Sequence, residues 1–215
     1  PHKLTQNGPC IAVGDLDGDG LDDFVIGSSS TFSPMAFFQK SDGSFSEKPL
    51  FLSDIDKSYE EEGIVLFDLD NDGDLDLYLV SGSNEFASDS GQYADRLLIN
   101  DGTGTFTFAP DNMPAISASG SAVTATDFDN DGYTDLFVGG RTPMGNYPIP
   151  DRSYILKNNK GVLIDATSAM APDLSKIGMV TDAIWVDIDG DALKDRSGNV
   201  CILQGRKREV HCLPR

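Results

Sequence analysis

The stretch Asp68-Leu69-Asp70-Asn71-Asp72-Gly73-Asp74-Leu75-Asp76 places carboxylates at its first, third, fifth and ninth positions and a glycine at its sixth. Three near copies flank it: Asp15 to Asp23 (DLDGDGLDD), Asp127 to Asp135 (DFDNDGYTD) and Asp187 to Asp195 (DIDGDALKD). The copies begin at residues 15, 68, 127 and 187. A repeat at this spacing decides the architecture, because each unit is a supersecondary module that buries its faces only against its neighbours.

Carboxylates on alternate residues of a tightening loop can aim their oxygens at one centre. Ca²⁺ is a hard cation that takes six to eight oxygens at about 2.3–2.6 Å. Glycine at the sixth position lets the backbone turn through positive φ, which a Cβ opposes. The carbonyl of position 7 then faces the ion and the aspartate of position 9 closes the cage. The candidate ligands of the first loop are Asp15, Asp17, Asp19, the Leu21 carbonyl and Asp23. Those of the second are Asp68, Asp70, Asp72, the Asp74 carbonyl and Asp76. The third offers Asp127, Asp129, Asp131, the Tyr133 carbonyl and Asp135, and the fourth Asp187, Asp189, Asp191, the Leu193 carbonyl and Asp195. Ala192 replaces the glycine in the fourth loop, so that site is expected to be the weakest or empty. Asp, Asn and Gly also build ordinary solvated turns, but four copies that each keep the ninth carboxylate point to calcium.

An EF-hand needs a glutamate at position 12 and flanking helices. Position 12 here is Ile26, Leu79, Val138 and Gly198. Each loop instead joins two apolar, strand-like segments, such as Ile64-Val65-Leu66-Phe67 and Leu77-Tyr78-Leu79-Val80. A hairpin signal follows in each of the first three units, around Ser41-Asp42-Gly43, Asp101-Gly102-Thr103-Gly104 and Asn158-Asn159-Lys160-Gly161. Two strands at the acidic loop and two at the hairpin make a four-stranded antiparallel blade, the unit of a β-propeller. The predicted fold is therefore all-β, with four four-stranded repeats in a single domain over residues 1–215. The repeat bounds fall near 9–60, 61–115, 116–175 and an atypical 176–215.

Strand, DxDxDGxxD loop and a strand ending in glycine resemble the FG-GAP/VCBS repeat of integrin alpha-subunit propellers and of secreted or surface bacterial proteins. The matching residues include Asp15, Asp17, Asp19 and Asp23, and Asp127, Asp129, Asp131 and Asp135. The likeness spans about residues 9–205. It implies a calcium-holding loop between the first two strands of each blade. It also implies a complete ring of more blades than four, so the expectation is an open, partial propeller that pairs with another copy or with missing blades.

The formal charge is −19, and the four loops hold about half of the 35 acidic residues. Such acidity argues against a nucleic-acid partner. No apolar run is long enough for a membrane-spanning helix, and the opening Pro1-His2-Lys3 has no leader character, so an excised or processed piece is expected. Calcium loops of modest affinity suit an extracellular, cell-surface or periplasmic setting. No nucleophile elbow, HExxH or P-loop occurs, and the two histidines lie near the termini, so no enzymatic activity is expected. Two long connections, residues 83–95 and 142–152, carry Phe86, Tyr93 and Tyr147, and each is expected either to contact a partner or to pack on its own blade. The expected function is a calcium-ordered interaction or adhesion module; the alternatives are a glycan-binding propeller or an architectural segment of a larger secreted enzyme. The tail departs from pattern, with Arg196-Ser197-Gly198-Asn199 where an apolar strand belongs, and a hairpin about Arg206-Lys207 would set Cys201 opposite Cys212.

Overall fold

The computed structural model describes residues 9–29, 31–51, 59–83, 86–87, 90–142, 145, 147–186, 199–204 and 209–212. The first sheet contains β1 (Ile11–Gly14), β2 (Asp23–Ile26), β3 (Met35–Gln39) and β4 (Phe45–Pro49). The second contains β5 (Glu61–Phe67), β6 (Asp76–Ser81), β7 (Arg96–Asn100) and β8 (Phe106–Phe108). The third contains β9 (Gly120–Thr126), β10 (Asp135–Gly140), β11 (Tyr154–Asn158) and β12 (Leu163–Asp165). The fourth contains β13 (Val180–Val186), β14 (Asn199–Gln204) and β15 (Glu209–Cys212). Each sheet is an antiparallel meander in chain order, and the repeats are β-propeller-like.

The fourth sheet differs from the expected four strands: it has three among the described residues. In the first three sheets the second strand begins at the ninth loop residue, with Gly14 opposite Asp23, Phe67 opposite Asp76 and Thr126 opposite Asp135. In the fourth, Val186 stands opposite Asn199, so the strand starts four residues after Asp195. The hairpin does place Cys201 opposite Cys212 in the backbone register.

Stacking explains why the middle strands lack the half-buried alternation of a surface sheet. All six residues of β6 and all six of β10 are buried, because each faces a sheet on both sides. Leu77, Leu79 and Leu98 meet Leu16, Val25 and Ala36 between the first two sheets. Tyr78, Val80 and Leu97 meet Leu136, Val138 and Leu156 between the second and third. Phe137 and Ile155 meet Ala183 and Trp185 between the third and fourth. Full burial of each such side chain is worth roughly 1.5–3 kcal/mol, so the cohesion of the chain resides mainly between sheets. β9 approaches β6 closely at Gly120, where a Cβ would lie 2.2 Å from Val80 Cγ1.

Candidate metal centres

The first three acidic loops each lie between the first and second strands of their sheet. Gly20, Gly73 and Gly132 take φ of 84°, 96° and 91°, as the sixth-position turn requires. Position 4 is left-handed as well, with φ of 74° at Gly18, 65° at Asn71 and 58° at Asn130. Glycine and asparagine are the residues that accept this region at low cost. The recurrence of Gly or Asn at position 4 was the available signal for that second turn.

The first carboxylate shapes the loop. Asp15 accepts from Gly18 N (2.8 Å) and Gly20 N (2.9 Å), and Asp68 from Asn71 N (2.7 Å) and Gly73 N (3.1 Å). Asp127 accepts from Asp131 N (3.1 Å) and Gly132 N (2.9 Å). The fifth carboxylate accepts the amide of position 7, at 2.8 Å for Leu21 on Asp19, 3.0 Å for Asp74 on Asp72 and 3.0 Å for Tyr133 on Asp131.

The ninth carboxylate is buried, and both its oxygens are engaged by backbone amides. Asp23 accepts from Leu16 N (3.0 Å) and Gln39 N (2.8 Å). Asp76 accepts from Leu69 N and Asn100 N, both at 2.9 Å. Asp135 accepts from Phe128 N (3.1 Å) and Asn158 N (2.7 Å). One carboxylate thus ties the second loop residue to the end of the third strand in every complete sheet. A carboxylate oxygen has two lone-pair sites, so one such bond leaves room for a metal.

Carboxylate oxygens converge within 4.8 Å in three groups: Asp15, Asp17 and Asp19; Asp68, Asp70 and Asp76; and Asp127, Asp129 and Asp135. Asp23, Asp72 and Asp131, which belong to the same loops, are not among these three groups. The Asp74 side chain faces Gly102 of its own sheet's hairpin, where a Cβ would lie 2.4 Å from Asp74 Oδ2. The fourth loop, Asp187 to Asp195 with Asp189, Asp191 and Leu193, lies outside the described residues.

Burial raises the Asp17 and Asp70 carboxyls, with neighbouring aspartates adding to the shift. Burial pushes Asp76 up to about 6 and Asp135 up to about 7, against the backbone amides that favour their charged forms. The Asp129 Oδ1 atom is buried without a hydrogen-bond partner among the described residues. Convergent hard oxygens, crowded like charges and an unpaired buried acceptor fit a hard divalent cation.

The third loop has a feature that loop spacing does not disclose. Lys157 on β11 bonds to Asp129 Oδ2 and lies 3.2 Å from Asp131 Oδ2. Counting back from the strand ends, Phe38 and Ile99 occupy its position in the first and second sheets. The hydrogen bond to Asp129 raises the Lys157 pKa, and Asp131 is held below the usual carboxylate range because the Tyr133 amide and Lys157 outweigh its desolvation. Asn100 and Asn158 were likewise missed; both reach across to the preceding sheet's loop.

The FG-GAP-like repeat family profile matches residues 15–79 and 80–138, more than half of the chain. Among curated proteins no sequence matches. One similar solved structure is a lectin of Agrocybe aegerita, described as recognising non-reducing terminal N-acetylglucosamine; identity is 18% and the TM-score 0.47. The match covers 74% of this chain and 37% of the lectin chain.

Proposed function

The chain belongs to the FG-GAP-like repeat family, and from that premise we propose that it is a calcium-binding interaction module of a secreted or cell-surface protein. The observation that carries this reading is the threefold recurrence of converging carboxylates at the same strand-to-strand loop. Asp15, Asp17 and Asp19 would hold one ion, with Asp23 behind them. Asp68, Asp70 and Asp76 would hold a second, and Asp127, Asp129 and Asp135 a third. A bound divalent cation supplies charge neutralisation and a fixed turn. The chain's own residues then do the rest: the stacked sheets hold the loops in register, and the connections display side chains outward. Tyr147 and Ile149, on the connection before β11, and Phe32, on that before β3, are exposed apolar residues suited to a protein partner.

The role of the ions is structural, and the module is non-catalytic in this reading. Isothermal titration with Ca²⁺ and with Mg²⁺ tests it. Two or three calcium sites, each removed by its own substitution (Asp17→Ala, Asp70→Ala or Asp129→Ala), are expected. Absence of calcium heat together with an unchanged melting temperature in chelator would refute it.

A further inference from the structure

The first three acidic loops share one frame. The amide of position 6 donates to the first carboxylate in each, from Gly20 to Asp15 (2.9 Å), from Gly73 to Asp68 (3.1 Å) and from Gly132 to Asp127 (2.9 Å). Asn100 and Asn158 brace the first and second loops alike, each from the following sheet. Charge is what differs. Among the described residues no ion pair reaches the carboxylates of the first two loops, whereas Lys157 bonds to Asp129 and lies 3.2 Å from Asp131. Carboxylates gathered this closely repel one another until a cation joins them. In the first two loops that cation must come from solution. In the third it is supplied by β11, whose register puts Lys157 where β3 has Phe38 and β7 has Ile99. The Lys157 and Asp129 side chains are 31% and 29% exposed, so solvent and salt screen the pair only in part.

A second fastening sets the third loop apart from the second. Asn71, at position 4 of the second loop, donates from Nδ2 to the Gly132 carbonyl at 2.9 Å. Position 4 of the first loop is Gly18, which has no side chain to offer the second loop in the same way. The third loop is thus held from its own sheet by Lys157 and from the preceding sheet by Asn71.

We propose that Lys157 is the resident cation of the third loop: its tethered ammonium keeps this loop closed without a divalent ion, so that of the three described loops the first and second depend on calcium for their order. The ammonium belongs to the chain, so its local concentration is fixed whatever the calcium level. A divalent ion enters the third loop only in exchange for it. Asp129 Oδ1, buried and without a hydrogen-bond partner among the described residues, is the acceptor left for such an ion. Withdrawal of calcium then loosens the first two loops and leaves the third as a fixed point. The response to calcium rests on the metal reading above, whereas the order kept in chelator does not.

Amide hydrogen exchange followed by NMR, in EGTA and in Ca²⁺, tests this at Gly20, Gly73 and Gly132, which hold the same position in their loops. In EGTA the protection factor of Gly132 should exceed those of Gly20 and Gly73 by at least about tenfold, and calcium should raise the other two towards it. Lys157→Met puts an apolar side chain where the other sheets carry Phe38 and Ile99, so the strand should persist while Gly132 falls to the level of Gly20 in EGTA. Lys157→Arg should keep Gly132 protected. Asn71→Gly, which suits the φ of 65° there, should lower Gly132 by a smaller factor. Equal protection of the three glycines of the parent in EGTA overturns the proposal, as does a Gly132 that exchanges as slowly in Lys157→Met as in the parent. Gly20 and Gly73 indifferent to calcium would overturn the metal reading and the calcium half of the proposal with it, while the comparison of Lys157→Met with the parent in EGTA would still decide the role of the lysine.

Discussion

The side-chain amide of Asn158 donates to the carbonyl of Leu69, 2.7 Å away and 89 residues earlier in the chain. The same nitrogen reaches Thr134 O at 3.0 Å, while Asn158 Oδ1 accepts Gly161 N at 2.9 Å. One buried carboxamide therefore joins its own loop, its own hairpin and the acidic loop of the preceding sheet. Asn100 makes the equivalent reach to Leu16 O at 2.8 Å and to Leu75 O at 3.2 Å. These bonds place successive acidic loops side by side, so the geometry of one loop is mechanically connected to the packing of the next.

Replacing Asn158 by Ala leaves the Leu69 and Thr134 carbonyls without that donor. The expected loss is about 1–3 kcal/mol for buried polar groups deprived of a partner. Urea unfolding of Asn158→Ala should show a lower midpoint at unchanged slope. A midpoint equal to the parent's would mean that water takes the place of the amide at no cost.

Chelation should lower the melting temperature if the loops hold calcium. Saturation at ten times Kd contributes about 1.4 kcal/mol per site by ligand linkage. Scanning calorimetry with Ca²⁺ and with EGTA is the measurement, and Asp70→Ala should remove only part of the difference. Equal melting temperatures in the two buffers would remove the structural role of the ion.

Lys157 should set the third loop apart from the other two. Its ammonium engages both Asp129 and Asp131, so a divalent ion there must displace it. Lys157→Met is expected to tighten calcium binding at the third loop about tenfold, equivalent to roughly 1.4 kcal/mol, and to leave the first two loops unchanged. Titration of parent and variant distinguishes this from a general change in net charge, which would move all sites together.

Asp95 gives a pH dependence of definite sign. It is fully buried, accepting from Tyr78 Oη (2.9 Å) and Ser81 N (2.9 Å), and burial pushes its carboxyl up to about 8. The folded value lies above the unfolded one near 3.9, so its contribution is complete below about pH 4 and is lost as pH rises towards 8. Asp76 and Asp135, pushed up to about 6 and 7, slope the same way in chelator. Stability of the parent in EGTA should fall across this window, and Asp95→Asn, which keeps an acceptor without the charge, should flatten the slope. A variant as pH-sensitive as the parent would locate the effect elsewhere.

The acidic loops, their flanking strands and the hairpins were legible in the sequence because each is a local device. Turn chemistry at Gly20, Gly73 and Gly132 and apolar runs such as Leu77 to Val80 act over a few residues and repeat. The blade pattern followed from that repetition, and the three predicted hairpin turns fall where β3 joins β4, β7 joins β8 and β11 joins β12. The departure of the fourth repeat was visible at Arg196 to Asn199, but the pairing of Val186 with Asn199 and the three strands among its described residues were decided by the structure. Only the tertiary structure decided that Asp23, Asp76 and Asp135 are buried clasps, that Asn100 and Asn158 tie one sheet to the previous loop, and that Lys157 faces the third cluster. Such relationships join residues as much as 89 positions apart, and their geometry is set by how whole sheets stack, which no local pattern encodes.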